Sequence, residues 1–184
     1  MVGASVAAPD LAPAPGVRRV TILGSTGSVG QNTLDLVRRT QSLRIGALTA
    51  HRNVDVLARQ ASEFSAELAV IADPDAYQDL ADALSGTGIR AAAGAEALVE
   101  AACLKSDIVM ASIVGAAGIE ATFAALAHSP IVAIANKECL VAAGALFARE
   151  AARTGATLLP VDSEHSAIFQ VLDQSQPEAV AKII

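Results

Sequence analysis

Unbroken apolar runs alternate along this chain with stretches whose apolar residues recur every three or four positions. The first run, Val20 to Leu23, follows Arg18-Arg19 and reads as a strand buried on both faces. After it, Leu34, Val37 and their neighbours return at helical spacing. Leu43 to Thr49 predicts a second strand, Val54 to Phe64 its helix, and Leu68 to Ala72 a third strand. Asp73-Pro74 supplies an N-cap and a first-turn proline for a helix to about Leu84, which Gly86 and Gly88 end. Ile89 to Ala93 predicts a short strand and Ala95 to Leu104 a helix. Asp107 to Ile113 is the next strand, with Gly115 and Gly118 in the turn before a helix to about His128.

Two more strand and helix pairs follow. Pro130 to Ala135 is a strand, and a helix runs from about Lys137 to Arg153 with an interruption expected at Gly144. Thr157 to Val161 and Glu164 to Leu172 give a further strand and helix. This alternation predicts an α/β fold, a Rossmann-like doubly wound and mainly parallel sheet. Ala179 to Ile184 reads as the start of a strand in which the chain stops, so a fragment of a longer protein is expected.

Composition narrows the picture. The chain is 53% hydrophobic but only 3% aromatic, which suits a parallel sheet covered by small-residue helices. A net charge of −6 with no basic block argues against a nucleic-acid surface, and few aromatics are present to stack on bases. No apolar run approaches the ~18 residues of a membrane span. Residues 1–16 carry three prolines and no basic leader, so they read as a disordered tail rather than a signal. Cys103 and Cys139 form no Cys-x-x-Cys pair and read as free thiols of a reducing cytoplasm.

Chemistry concentrates where strands end. Gly24, Gly27 and Gly30 are spaced G-x-x-G-x-x-G between the first strand and its helix. The chain must turn sharply there, and a Cβ would hold a phosphate off the backbone. Exposed N–H groups at the helix start favour an anion, so the turn reads as a pyrophosphate cradle. The second strand runs into His51-Arg52-Asn53 with no carboxylate to bind a ribose 2′-hydroxyl. Arg52 and Asn53 instead offer charge and donors to a 2′-phosphate, favouring NADP over NAD. Read without a ligand, Arg52 is a solvated loop arginine and Asn53 caps the next helix.

Asn136-Lys137-Glu138 follows a strand at the sheet's carboxyl edge, where open α/β sheets bind ligands. A lysine opening a helix faces the positive end of the dipole, which calls for a compensating anion. Asp162-Ser163-Glu164-His165 follows another strand. Its two carboxylates can turn toward one hard cation, or Asp162 can simply cap a helix with Glu164 in its first turn.

Together, Gly24 to Gly30, Ala135 to Glu138 and Val161 to Gln170 resemble the 1-deoxy-D-xylulose 5-phosphate reductoisomerase family, over nearly everything after the tail. The resemblance implies an enzyme that uses NADPH and a divalent metal (Mg²⁺, Mn²⁺ or Co²⁺), homodimeric when full length. It implies retro-aldol cleavage and recombination of a sugar phosphate, then reduction to 2-C-methyl-D-erythritol 4-phosphate. Thr26, Gly27, Ser28 and Val29, in the turn with Gly24 and Gly30, would contact the cofactor phosphates. His51, Arg52 and Asn53 would face the 2′-phosphate, with His51-Arg52 in place of a commoner Gly-Lys pair. Asn136 and Glu138 would border NADPH, and Lys137 would bind substrate as a catalytic residue. Asp162 and Glu164 would hold the metal; Ser163 and Glu164 would touch substrate, Glu164 being catalytic.

The implied organisation is a tail at 1–16, an NADP-binding domain at 17–155 and the beginning of a catalytic domain at 156–184. Family members are roughly twice as long, so this chain alone is expected to lack turnover. Two other readings are open. A short-chain reductase expects Tyr-x-x-x-Lys, whereas Ala81 stands four residues after Tyr77, the one tyrosine. An NADP-binding sensor or interaction module would leave Asp162 and Glu164 as a plain helix start.

Overall fold

A computed structural model describes residues 16–172 together with Val180 and Lys182. The expected tail, apart from Gly16, lies outside the described residues, as does most of the strand start expected at 179–184. Seven strands and seven α-helices alternate within the described part. They are β1 (Arg18–Leu23), α1 (Ser28–Arg39), β2 (Leu43–Ala50), α2 (Val54–Glu63), β3 (Leu68–Ile71) and α3 (Tyr77–Ala83). Then come β4 (Arg90–Ala93), α4 (Gly94–Cys103), β5 (Ile108–Ala111) and α5 (Ile119–Ala125). β6 (Ile131–Ile134), α6 (Lys137–Thr154), β7 (Thr157–Pro160) and α7 (Ser163–Val171) follow.

The strands form one sheet in the order β4-β3-β2-β1-β5-β6-β7, and every pairing is parallel. The chain winds outward from a central strand, first one way and then the other, with helices packed on both faces. Leu34 and Val37 of α1, Leu57 and Ala61 of α2, and Leu80 of α3 pack one face. Leu98 and Ala101 of α4, Ala121 and Ala125 of α5, and Phe147 and Ala151 of α6 pack the other. Alanine at so many of these contacts lets helix backbones lie close to the sheet, which accounts for a large core with few aromatics.

Three expectations shift. The helix expected from Asp73 to Leu84 is a 3₁₀ turn, Pro74–Ala76, followed by α3. The Asp73 carboxylate still caps it, accepting from the Asp75 N–H at 3.1 Å. The break in α6 falls at Ala143 (φ −142°, ψ 21°), one residue before Gly144. β7, at the start of the segment read as a second domain, pairs residue for residue with β6 and so extends the same sheet.

Because all strands run the same way, their carboxyl ends share one edge. Leu23, Ala111, Ile134 and Pro160 stand side by side as register partners across β1, β5, β6 and β7. The residues after them (Gly24, Ser112, Asn136 and Asp162) therefore line one ledge. At ~4.8 Å per strand, the glycine turn and the Asp162 loop lie roughly 14 Å apart along it.

Candidate functional site

The strand order reverses between β1 and β5, and a cleft of about 380 Å³ opens at that point. Its walls are the glycine turn (Gly24, Thr26, Gly27), the end of β2 (Thr49, Ala50, His51), Ala72 after β3, and Ser112 to Val114 after β5. Leu98 of α4 closes the base.

The three glycines have different duties. Gly24 has φ +90°, and a Cβ there would meet the Ser112 carbonyl oxygen at 2.9 Å. A Cβ on Gly30 would collide with the Gly24 carbonyl and with Ser25 Cα at 2.6 Å. Both are glycine because β1, α1 and β5 touch backbone to backbone, a correction to the expectation that all three make room for phosphate. Gly27 alone is open: its nearest neighbour would be the Gly24 oxygen at 3.6 Å. It is also the residue before α1, where no side chain caps the helix. The first bond across that start is from Gln31 N–H to the Gly27 carbonyl at 2.9 Å, so Ser28, Val29 and Gly30 present N–H groups to an incoming anion.

Residues that the sequence did not single out hold this turn rigid. Thr49 Oγ1 accepts from the Gly24 N–H at 2.9 Å, and the Thr49 carbonyl accepts from the Ser25 N–H at 2.8 Å. Ser25, fully buried, donates its hydroxyl to Gln60 Oε1 at 2.8 Å, and Gln60 Nε2 donates back to the Ser25 carbonyl at 3.1 Å. Ser112 donates its hydroxyl to the Leu23 carbonyl at 2.8 Å. A polar residue within an apolar run, Thr49 at the end of β2, was the available signal; Gln60 lies in a helix with many polar residues and carried none.

At the end of β2, His51, Arg52 and Asn53 are all exposed beside the cleft. Asn53 caps α2, its Oδ1 accepting from the Val56 N–H at 3.1 Å. Arg52 Nε lies 2.7 Å from Asp73 Oδ2. Further along the ledge, Asn136 is buried and its amide is spent on protein. Nδ2 donates to the Ile113 and Gly115 carbonyls at 2.6 and 2.8 Å, and Oδ1 accepts from the Cys139 N–H at 3.4 Å. That clasp ties the loop after β5 to the start of α6, and Gly118 packs against it too closely for a Cβ. Lys137 and Glu138 open α6 with exposed side chains, and neither enters an ion pair among the described residues.

Asp162 begins α7 as its cap. Its Oδ1 accepts from the His165 N–H at 3.0 Å and lies 2.7 Å from His165 Nδ1. Burial pushes the carboxyl pKa up, but the two His165 contacts outweigh it and hold the group below the usual aspartate range. Oδ2 is different: it is buried and has no hydrogen-bond partner among the described residues, on a side chain only 9% exposed. An ionised oxygen left bare in that way is costly unless a cation or donor meets it. Glu164 lies exposed one turn-residue beyond, so the donor set is two hard carboxylates, suited to Mg²⁺ or Mn²⁺. Among the described residues no group of three or more His, Cys, Asp or Glu side chains is placed to hold a metal. Nor is any helix there long and apolar enough to cross a membrane.

Known proteins resemble this chain in sequence and in fold. The family model for 1-deoxy-D-xylulose 5-phosphate reductoisomerase matches residues 20–144. The reductoisomerase of Rhodospirillum centenum is 59% identical over 92% of this chain and 42% of its own length. That of Rhizobium rhizogenes is 56% identical over 91% of this chain and 43% of its own. The Zymomonas mobilis enzyme, solved with NADPH, superposes with a TM-score of 0.87 at 51% identity, over 90% of this chain and 44% of that one. A further reductoisomerase, solved with NADPH, fosmidomycin and magnesium, gives 0.82 at 40% identity, covering 89% of this chain and 41% of that one. The chain thus spans well under half the length of the relatives it matches. With the family model covering most of its described residues, the chain belongs to the 1-deoxy-D-xylulose 5-phosphate reductoisomerase family.

Proposed function

We propose that this chain is the NADP-binding part, residues 17–155, and the entry to the catalytic part, from 156 onward, of an NADPH- and divalent-metal-dependent reductoisomerase. The reaction is conversion of 1-deoxy-D-xylulose 5-phosphate to 2-C-methyl-D-erythritol 4-phosphate, by a cytoplasmic protein that is a homodimer at full length. The observation that carries the reading is the shared ledge: an uncapped helix start at Gly27 and an Asp162 oxygen without a partner among the described residues lie along the same sheet edge.

Thr26 to Val29 bind the cofactor pyrophosphate through backbone N–H groups, and His51, Arg52 and Asn53 meet the 2′-phosphate. Asn136 acts by fixing the loop after β5, while Glu138 lies at the border of the cofactor. Lys137 takes a substrate anion, which answers its placement at the positive end of α6. Asp162 and Glu164 would hold the metal, which when bound polarises substrate oxygens; Ser163 and Glu164 orient the substrate beside it. The hydride is supplied by NADPH. Two carboxylates leave the metal under-coordinated, which supports the expectation that this chain alone binds nucleotide without turning over substrate.

The test is a fluorescence titration of this chain with NADPH and with NADH. NADPH binding at least about tenfold tighter than NADH, with that preference lost in Arg52→Ala, is the expected result. Equal affinity for the two nucleotides sinks the 2′-phosphate assignment. Turnover by the chain alone sinks the division of labour between its parts.

A further inference from the structure

Arg52 and Asp73 form an ion pair of unequal partners. The Arg52 side chain is 72% exposed, whereas that of Asp73 is 16% exposed. Asp73 is fixed from several sides. Its N–H donates to the His51 carbonyl at 3.0 Å, its Oδ1 accepts from the Asp75 N–H at 3.1 Å, and Pro74 follows it. Its remaining oxygen, Oδ2, lies 2.7 Å from Arg52 Nε. A fixed carboxylate therefore sits in ion-pair contact with an otherwise free side chain, nearest its inner nitrogen. Arg52 pairs with no second carboxylate among the described residues, which leaves N–H groups on the outer edge of the guanidinium for a further anion.

That edge is the one that meets a phosphate bidentately. A lysine could not be held this way, because its single nitrogen would have to serve both anions. Resting on the NADP reading above, we infer that Asp73 is a positioning residue that aims Arg52 at the adenosine 2′-phosphate. The guanidinium lies between two anions, and the rotamer freedom it would lose on binding is already surrendered to Asp73. Asp73 also ties the end of β2 to the turn after β3, so the arginine is carried on a loop with little freedom of its own.

The experiment compares NADPH and NADH binding in the unaltered chain, Asp73→Asn, Arg52→Ala and the double variant, with circular dichroism melts of each. Asn retains an oxygen for the Asp75 N–H, so the turn after β3 persists. For Asp73→Asn the NADPH Kd is expected to rise about three- to tenfold while the NADH Kd moves less than about twofold. In the Arg52→Ala background the same change should add nothing, since its effect passes through Arg52. Equal weakening for both nucleotides identifies a merely structural role and overturns the inference. So does tighter NADPH binding, the mark of a carboxylate that masks the arginine. A normal NADPH preference in Arg52→Ala overturns the underlying 2′-phosphate assignment, a result distinct from loss of preference in Arg52→Ala with none in Asp73→Asn.

Discussion

The turn at Gly24 to Gly30 is packed so closely that a methyl group fits at neither of those two glycines, whereas beside β7 a buried carboxylate oxygen has no partner among the described residues. At the first place, buried strand residues and a closed set of hydrogen bonds among Gly24, Ser25, Thr49 and Gln60 leave nothing unpaired except helix N–H groups. At the second, all four residues of β7 are only partly buried and α7 buries none. The difference is between a finished scaffold that offers a ligand its backbone and an unfinished one that offers a side chain. A dinucleotide needs the first kind of site because its pyrophosphate is read by fixed dipoles. A metal needs the second, because its ligands must be left without protein partners.

The largest expected effect comes from testing the packed side directly. Gly30→Ala forces backbone apart at the Gly24 carbonyl and should cost about 3 kcal/mol, a fall of roughly 9 °C in the thermal midpoint. A melting curve within a degree or two of the unaltered chain would show that the interlock is looser than drawn. Gly27→Ala sharpens the contrast within the same seven residues. Its φ of −76° suits alanine and its Cβ has room, so stability should change by less than about 0.5 kcal/mol. NADPH affinity should nonetheless fall about tenfold, near 1.4 kcal/mol, as the methyl group stands where the phosphate approaches. A stability loss equal to that of Gly30→Ala would erase the distinction.

The smallest effect belongs to the other side. The Asp162 pKa is depressed in the folded chain, so its capping contribution is whole above the unfolded value of about 3.9 and is lost as pH falls through the lower folded value. Amide exchange in α7 should therefore accelerate below about pH 4, by an amount near the ~1 kcal/mol worth of one cap. α1, which no side chain caps, should show no such step. Equal acid sensitivity in the two helices would mean that global unfolding, not Asp162, sets the response.

Much of this was legible in the sequence. Apolar runs such as Val20 to Leu23 and Leu68 to Ile71 announce strands buried on both faces, and the position of each glycine, proline and cap marks the turns between them. Duties that depend on remote contact were not legible. That Gly24 is confined by Ser112 requires knowing that β5 lies against β1, 88 positions away in the chain. Asp73 reads locally as a helix cap, and it is one; its grip on Arg52 arises only because the ends of β2 and β3 are neighbours. Likewise, periodicity announces that Thr157 to Pro160 is a strand but carries no information on which sheet receives it. The bare Asp162 oxygen belongs to the same class, since absence of a partner is a property of the packed chain.

The place of β1 in the middle of the sheet also governs how the chain emerges from a ribosome. β1 to β4 can zip together in order of synthesis, each new strand joining the one before. β5 must then travel back past three strands to the vacant side of β1. Until residue 111 is available, the row Val20 to Leu23 is a buried strand with one naked edge, the kind of template that recruits strands of other chains. The cleft proposed for the nucleotide is bounded by that same pairing, so it forms only once β5 has paired with β1. NADPH bound there would therefore stabilise the fold only after that hazardous interval has passed.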